Sequence, residues 1–249
     1  MDVDRINKTG YLYFHQGWAD IINQLALIDY YSEKYSEIVL LMRDDAKPLI
    51  DYYVKNKNNV KPFYFKKDSQ VPKNILNDYN GEILFHGVHD GYRKNFRKTC
   101  NNPNMEHFWK NFYICYGIDY QNRVNYFNLE RDYKLEEEQY EIFIKKYGDN
   151  YVLYHEDVLS PIVRDLKIEK NNNFNYVSLN NCTETFFDYI KILENAKKIE
   201  LVDSVWATIV YHLDAKYGIF KNIPITITCL RNHNHMFLEP IKLENWSII

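Results

Sequence analysis

Short apolar runs alternate with stretches of helical spacing along most of this chain. That alternation confines it to α/β folds built on a parallel sheet. Gly10-Tyr-Leu-Tyr-Phe14 reads as a buried strand. After His15-Gln-Gly17-Trp18-Ala-Asp20, the residues Ile21, Leu25 and Ile28 recur at i, i+4 and i+7, one face of a helix running to about Tyr35. Glu37 to Met42 is a second strand, Asp44 to Lys55 is helical, and Val60 to Phe65 and Gly81 to Phe85 are further strands. Asn104 to Gly117 reads as helical, with Phe108, Phe112 and Cys115 along one face. In Leu129 to Tyr147 the run Glu136-Glu137-Glu138 reads as a solvated helix face.

The pattern restarts after Gly148-Asp149-Asn150. Tyr151 to Tyr154 is a strand ending at His155-Glu156-Asp157, and Asn175 to Leu179 is another. Thr185-Phe-Phe-Asp188 has capping-box spacing and opens a helix carrying Tyr189, Leu193 and Ala196 on one side. Lys198 to Val202 is a strand, after which Asp203-Ser204 caps a helix striped by Trp206, Ile209, Val210 and Leu213. Ile225 to Cys229 is the final strand, and Lys170 to Asn173 is a loop. The domains expected are therefore 1–125, a helical connector over 126–147, and 148–249.

Composition narrows the function. With 31 Lys+Arg against 34 Asp+Glu, the net charge of -3 gives no global basic field for nucleic acid or an anionic membrane. No apolar run of about 18 residues is present, so no membrane span is expected. Met1-Asp2-Val3-Asp4-Arg5 lacks the apolar core of a signal peptide. The four cysteines (Cys100, Cys115, Cys182, Cys229) have no paired spacing and read as free thiols in a reducing compartment, the cytoplasm. No G-x-S-x-G, G-x-G-x-x-G or P-loop pattern occurs, which removes the commonest hydrolase, dinucleotide and ATPase readings.

Chemistry-bearing residues gather just after strands, where open parallel sheets bind ligands. His15, Gly17, Trp18 and Asp20 follow the first strand; His86, His89, Asp90 and Arg93 follow Gly81 to Phe85. His155, Asp157 and Arg164 follow Tyr151 to Tyr154, and Asp203 and Ser204 follow Lys198 to Val202. Asp20 fits either a general base or an ordinary carboxylate in a helix's first turn. Arg164 with Asp157 fits either a diphosphate clamp or a surface ion pair. Asp203-Ser204 fits either phosphate binding at a helix N-terminus or simple capping by the serine. The pairs His86/His89 and His233/His235 have no third ligand beside them, so no metal is expected; Asp44-Asp45 reads as a surface turn.

The ordered series of motifs resembles a GT-B-type glycosyltransferase family, related in outline to ADP-heptose-type transferases and found in bacterial and viral surface-glycan gene sets. The matching pieces are His15-x-Gly17-x-x-Asp20, Ile83 through His86, His89 and Asp90 to Tyr92-Arg93, and Phe112 through Gly117, Tyr120 and Arg123 to Phe127 and Arg131-Asp132. They continue with Tyr151 through His155-Glu-Asp157 to Arg164, and Phe187-Asp188-Tyr189 through Glu194-Asn195-Ala196 to Val202-Asp203-Ser204.

The resemblance implies two Rossmann-like parallel-sheet units facing across a cleft, with the acceptor on the N-terminal side and the nucleotide-sugar on the C-terminal side. It implies that Asp20 is the catalytic carboxylate, and that His155, Asp157, Arg164, Asp203 and Ser204 bind the donor. His15, Gly17, Trp18, His86, His89 and Arg93 would line the acceptor side or the cleft. The implied reaction moves a hexosyl or deoxyhexosyl group from a nucleotide-sugar co-substrate to a glycan or other hydroxyl acceptor. It is inverting, uses no metal and no other cofactor, and takes place in the cytoplasm (the host's, if the source is viral). The sequence departs from the family at Ala19, Asp165 and Val205, where Gly, Gly and Ser are usual. A non-catalytic nucleotide- or glycan-binding protein of the same fold, or a nucleotide-sugar hydrolase, is the alternative.

Overall fold

The apolar runs pair as parallel strands in a computed structural model that describes residues 6–14, 17–66, 81–85, 109–156, 168, 170–181, 185–229 and 245–249. The chain forms two units, Met1–Leu129 and Glu130–Ile249.

In the first unit, strands β1 (Ile6–Tyr13), β2 (Tyr35–Arg43), β3 (Val60–Phe65) and β4 (Gly81–Phe85) form a sheet of order β3-β2-β1-β4, every pair parallel. β1 lies between β2 and β4, with Gly10 opposite both Ile38 and Glu82. A Cβ at Gly10 would stand 3.0 Å from Ile38 Cδ1 and 3.2 Å from the Tyr35 ring, so glycine lets these two side chains close over the strand.

Helix α1 (Trp18–Ser32) buries more than the expected stripe. Asn23, Gln24, Ala26 and Leu27 are buried along with Ile21, Leu25 and Ile28. A second layer covers the far side of the helix, formed by α3 (Asn111–Ile114), α4 (Asn122–Asn125) and their flanks. The Tyr113 hydroxyl donates to the Asn23 carbonyl at 2.6 Å, and Tyr126 packs edge-on against Tyr30. Helix α2 (Lys47–Val54) starts with Pro48 in its first turn, where the missing N–H costs nothing. The Asp44-Asp45 turn is exposed and Asp45 pairs with Arg43, as a surface turn should.

The second unit holds β5 (Tyr151–His155), β6 (Asn175–Ser178), β7 (Lys198–Val202), β8 (Ile225–Thr228) and β9 (Trp246–Ile248) in the order β6-β5-β7-β8-β9, again all parallel. The core is built from fully buried Leu153, Ile199, Leu201, Ile209, Leu213 and Ile227. Each such side chain contributes about 1.5–3 kcal/mol of burial free energy.

Helix α5 (Tyr133–Tyr147) lies in the region expected as a connector, and it packs within the second unit. The acidic run is not a solvated face. Glu136 is fully buried and takes two hydrogen bonds from Arg131, which turns its other edge to Glu194. Only Glu137 and Glu138 remain exposed. A charge run reads as solvated until a partner from outside the helix closes over one of its members.

Two further expectations fail on local geometry. The helix expected to open at Thr185–Asp188 starts later than its capping-box spacing predicts. Phe187–Tyr189 is a 3-10 turn without a side-chain cap, α6 is confined to Ile190–Glu194, and Ala196 lies beyond it. Strand β9 was not expected at all. It is three residues long on the sheet's edge, too short for a period to register, and it is anchored by the Trp246 indole donating to buried Asp214 at 2.8 Å. Cys115 is disulfide-bonded, contrary to the expectation of four free thiols, whereas Cys229 is free.

Candidate functional site at the carboxyl edges of the two sheets

A doubly wound sheet opens a crevice where successive connections leave to opposite sides of one strand. In the first sheet that point lies between β1 and β4, and in the second between β5 and β7. The described site residues fall beside these two points.

In the first unit, Gly17 is the N-cap residue of α1, at φ -72° and ψ 139°, an extended conformation open to any residue. Its carbonyl accepts the Ile21 N–H at 2.8 Å. Trp18 opens the helix and Asp20 sits in its first turn, both partly exposed. Gln24 spans back to the Asp20 carbonyl at 2.8 Å, which ties the first turn down. Asp20 is thus a partly solvated carboxylate at the positive end of a 15-residue helix, beyond the carboxyl end of β1. His15, His86, His89 and Arg93 lie outside the described residues.

In the second unit, three sequence-predicted residues stand at one place. His155 ends β5, opposite Leu201 on β7, and Asp203 and Ser204 follow β7 directly. Ser204 is the N-cap residue of helix α7 (Val205–Tyr217), but its hydroxyl does not cap the helix. Ser204 Oγ instead meets His155 Nδ1 at 2.8 Å. The simple capping reading of Ser204 is therefore replaced by a side-chain pair joining the ends of β5 and β7. Ser204 gives α7 no side-chain cap, and the N-terminus of this 13-residue helix carries the partial positive charge that suits an anion.

The surroundings hold this pair in place. The Asp203 N–H donates to the Thr228 carbonyl at 3.2 Å, and the Glu156 N–H donates to Asn180 Oδ1 at 3.2 Å. Asp203 is buried. Burial, and then the Asp203 charge, push the neighbouring Cys229 thiol up to about 11, which keeps it protonated and a poor nucleophile at neutral pH. Asp157 and Arg164 lie outside the described residues, as do His233 and His235. Among the described residues no three His, Cys, Asp or Glu side chains come together as a metal site.

Sequence reasoning missed two residues of this edge. Asn180 fixes the turn after β5 through its side-chain carbonyl. Phe186 adopts φ 58° and ψ -38°, which is strained for a bulky side chain, and packs edge-on against Trp206 in the first turn of α7 at 5.1 Å. An Asn in an Asn-rich chain carries no signal, and a positive φ leaves none when the residue is not glycine.

No family model matches the sequence, and no curated protein does. Solved structures do. The glycosyl transferase family 9 structure from Veillonella parvula DSM 2008 aligns over 98% of this chain and 88% of its own, with a TM-score of 0.62 at 9% identity. The iron-containing dodecameric glycosyltransferase TibC from enterotoxigenic E. coli H10407 aligns over 95% of this chain and 62% of its own, with a TM-score of 0.52 at 10% identity. A second TibC structure, a complex with ADP-D-β-D-heptose, aligns to the same extent. With two successive parallel-sheet α/β units and this likeness over nearly its whole length, the chain has the fold of GT-B-like glycosyltransferases, a likeness of fold at this level of identity.

Proposed function

We propose that this protein is a glycosyltransferase that moves a hexosyl or deoxyhexosyl group from a nucleotide-sugar to a glycan or other hydroxyl acceptor. The observation that carries this reading is the Ser204–His155 pair at the second sheet's crossover point, beside the N-terminus of α7. An anionic leaving group suits that place. The helix end supplies partial positive charge and N–H donors, and His155 and Ser204 add a ring nitrogen and a hydroxyl.

In the proposed reaction, Asp20 accepts the proton of an acceptor hydroxyl. The oxygen attacks the anomeric carbon from the face opposite the leaving group, so configuration inverts. The bond from that carbon to the diphosphate oxygen breaks, and its electron pair leaves with the nucleoside diphosphate. The α7 N-terminus and Arg164 would stabilise that developing charge in place of a metal, with Asp157 and Asp203 orienting the donor. His15, Gly17, Trp18, His86, His89 and Arg93 would contact the acceptor. Cytoplasmic action, read from the cysteines, now rests on Cys229 alone among the described thiols.

The test is a thermal-shift series with UDP-, GDP-, dTDP- and ADP-sugars, followed by product analysis with and without acceptor. At least one donor should raise the melting temperature, and Ser204→Ala should weaken that donor about tenfold, the loss of one charge-assisted hydrogen bond. Asp20→Asn should keep donor binding and lose transfer. A donor that stabilises without turnover would leave a binding protein, and free sugar released without acceptor would favour a hydrolase. Undiminished turnover in Asp20→Asn would remove the base.

A further inference from the structure

Away from the crossover point of its sheet, the second unit carries a depression of about 310 Å³ between helix α5 and the edge strand β6. Residues spaced four apart on a helix share a face, as do residues two apart on a strand. Gln139 and Phe143 therefore line it from α5 together with Lys146 and Tyr147, while Tyr176 and Ser178 line it from β6. Phe143 fixes the floor, being buried and packed edge-on against Tyr151 of β5 at 4.7 Å. Phe143 and Tyr147 lie 4.9 Å apart, and Lys146 rests over the Tyr147 ring. β6 is only four residues long and is the edge strand of its sheet among the described residues.

The polar groups of this depression make it more than a packing defect. The Gln139 carboxamide, the Tyr147 hydroxyl and the Lys146 ammonium make no hydrogen bond to any described residue. Ser178 Oγ accepts the Asn180 N–H at 3.2 Å and keeps its own proton to donate. Donors and acceptors thus stand around aromatic faces, and those of Gln139, Lys146 and Tyr147 have no hydrogen-bond partner among the described residues. A purely apolar ligand would leave them dry and unpaired, at a cost of about 1–3 kcal/mol each. A purely polar one would waste the rings. A pyranose ring matches both demands, with a C–H face for the aromatics and hydroxyls around its rim.

We propose that this depression is a saccharide-binding site for a single pyranose unit, separate from the crossover-point site. The proposal does not rest on the glycosyltransferase reading, because the depression is defined by side chains that reading does not use. If both hold, the depression anchors a glycan at a second place on the same protein.

The test is a titration of the ¹⁵N-labelled full chain with methyl β-D-glucopyranoside, methyl α-D-galactopyranoside, N-acetylglucosamine and glucuronic acid. The signal to follow is the Gln139 side-chain amide pair, identified by its loss in Gln139→Ala. At least one probe should shift that pair saturably with a dissociation constant of about 1–10 mM. Tyr176→Ala should weaken the probe about fivefold or more. Tyr147→Phe, which keeps the ring and the fold and removes only the hydroxyl, should weaken it about two- to threefold. Ser204→Ala should leave the shift unchanged. A Gln139 pair that no probe moves, a shift that survives Tyr147→Phe and Tyr176→Ala intact, or a shift lost in Ser204→Ala would each overturn the proposal. None of these outcomes bears on donor binding, which the thermal-shift series reads separately.

Discussion

Arg131 holds two carboxylates at once, and replacing it should expose the cost of Glu136's burial. Its Nε and Nη2 donate to Glu136 at 2.9 and 2.5 Å, and its Nη1 and Nη2 donate to Glu194 at 2.6 and 3.0 Å. The Glu136 side chain is 1% exposed, Arg131 15% and Glu194 28%. Arg131→Met leaves Glu136 a buried carboxylate without its cation. Breaking such a pair costs about 3–5 kcal/mol, and partial hydration of Glu194 favours the lower end, about 3 kcal/mol. Arg131→Lys keeps the charge but replaces a planar fork with a point charge that cannot bridge both carboxylates, at a cost of about 1.5 kcal/mol.

The pH dependence follows from Glu136. Burial raises its carboxyl above the ordinary range, and the hydrogen bonds and charge of Arg131 pull it partly back. A raised folded value means that the native state holds the proton more tightly than the unfolded chain. That contribution to stability is present below the unfolded value and is lost as pH rises through the folded one. Without Arg131 the folded value climbs further. The deficit of Arg131→Met should therefore be greatest near neutral pH and shrink toward about pH 4.5, where a carboxyl is largely neutral in both states. Urea titrations of the full chain at several pH values measure this, and Glu136→Gln in the Arg131→Met background should recover about 2 kcal/mol at neutral pH. A deficit that stays flat with pH, or an Arg131→Lys protein as stable as the parent, would refute the reasoning.

Three other outcomes follow from the same geometry. Lys57 bonds half-buried Asp29, which also accepts from Tyr53 at 2.5 Å, so Lys57→Met should cost about 2 kcal/mol in urea and Asp29→Asn distinctly less, because the amide leaves no bare charge. Asp214 accepts from the Phe220 N–H at 2.9 Å and the Trp246 indole at 2.8 Å; Asp214→Ala should cost about 2–3 kcal/mol and speed hydrogen exchange of the Trp246 indole as β9 loosens. Gly218 ends α7 at φ 63° with its N–H on the Asp214 carbonyl, so Gly218→Ala should lower stability by about 1–2 kcal/mol by thermal melt.

What the sequence by itself determined is the order of strands and helices and the restart after Asn150. Alternation between periods is a property of neighbouring residues, so β1, β2, β5 and β7 could be read where they stand. It also placed His155, Asp203 and Ser204 at strand ends, because strand ends are local too. Only the tertiary structure decided what those polar groups meet. Ser204 turns to His155, 49 residues away, when its own helix offers N–H groups. Glu136 is buried because Glu194 and Arg131, 63 residues apart, close over the helix. β9 exists because Trp246 finds Asp214 across 32 residues. Hydrophobic periodicity is written along the chain, whereas the partner of a buried donor or acceptor is set by which distant segments packing brings within about 3 Å.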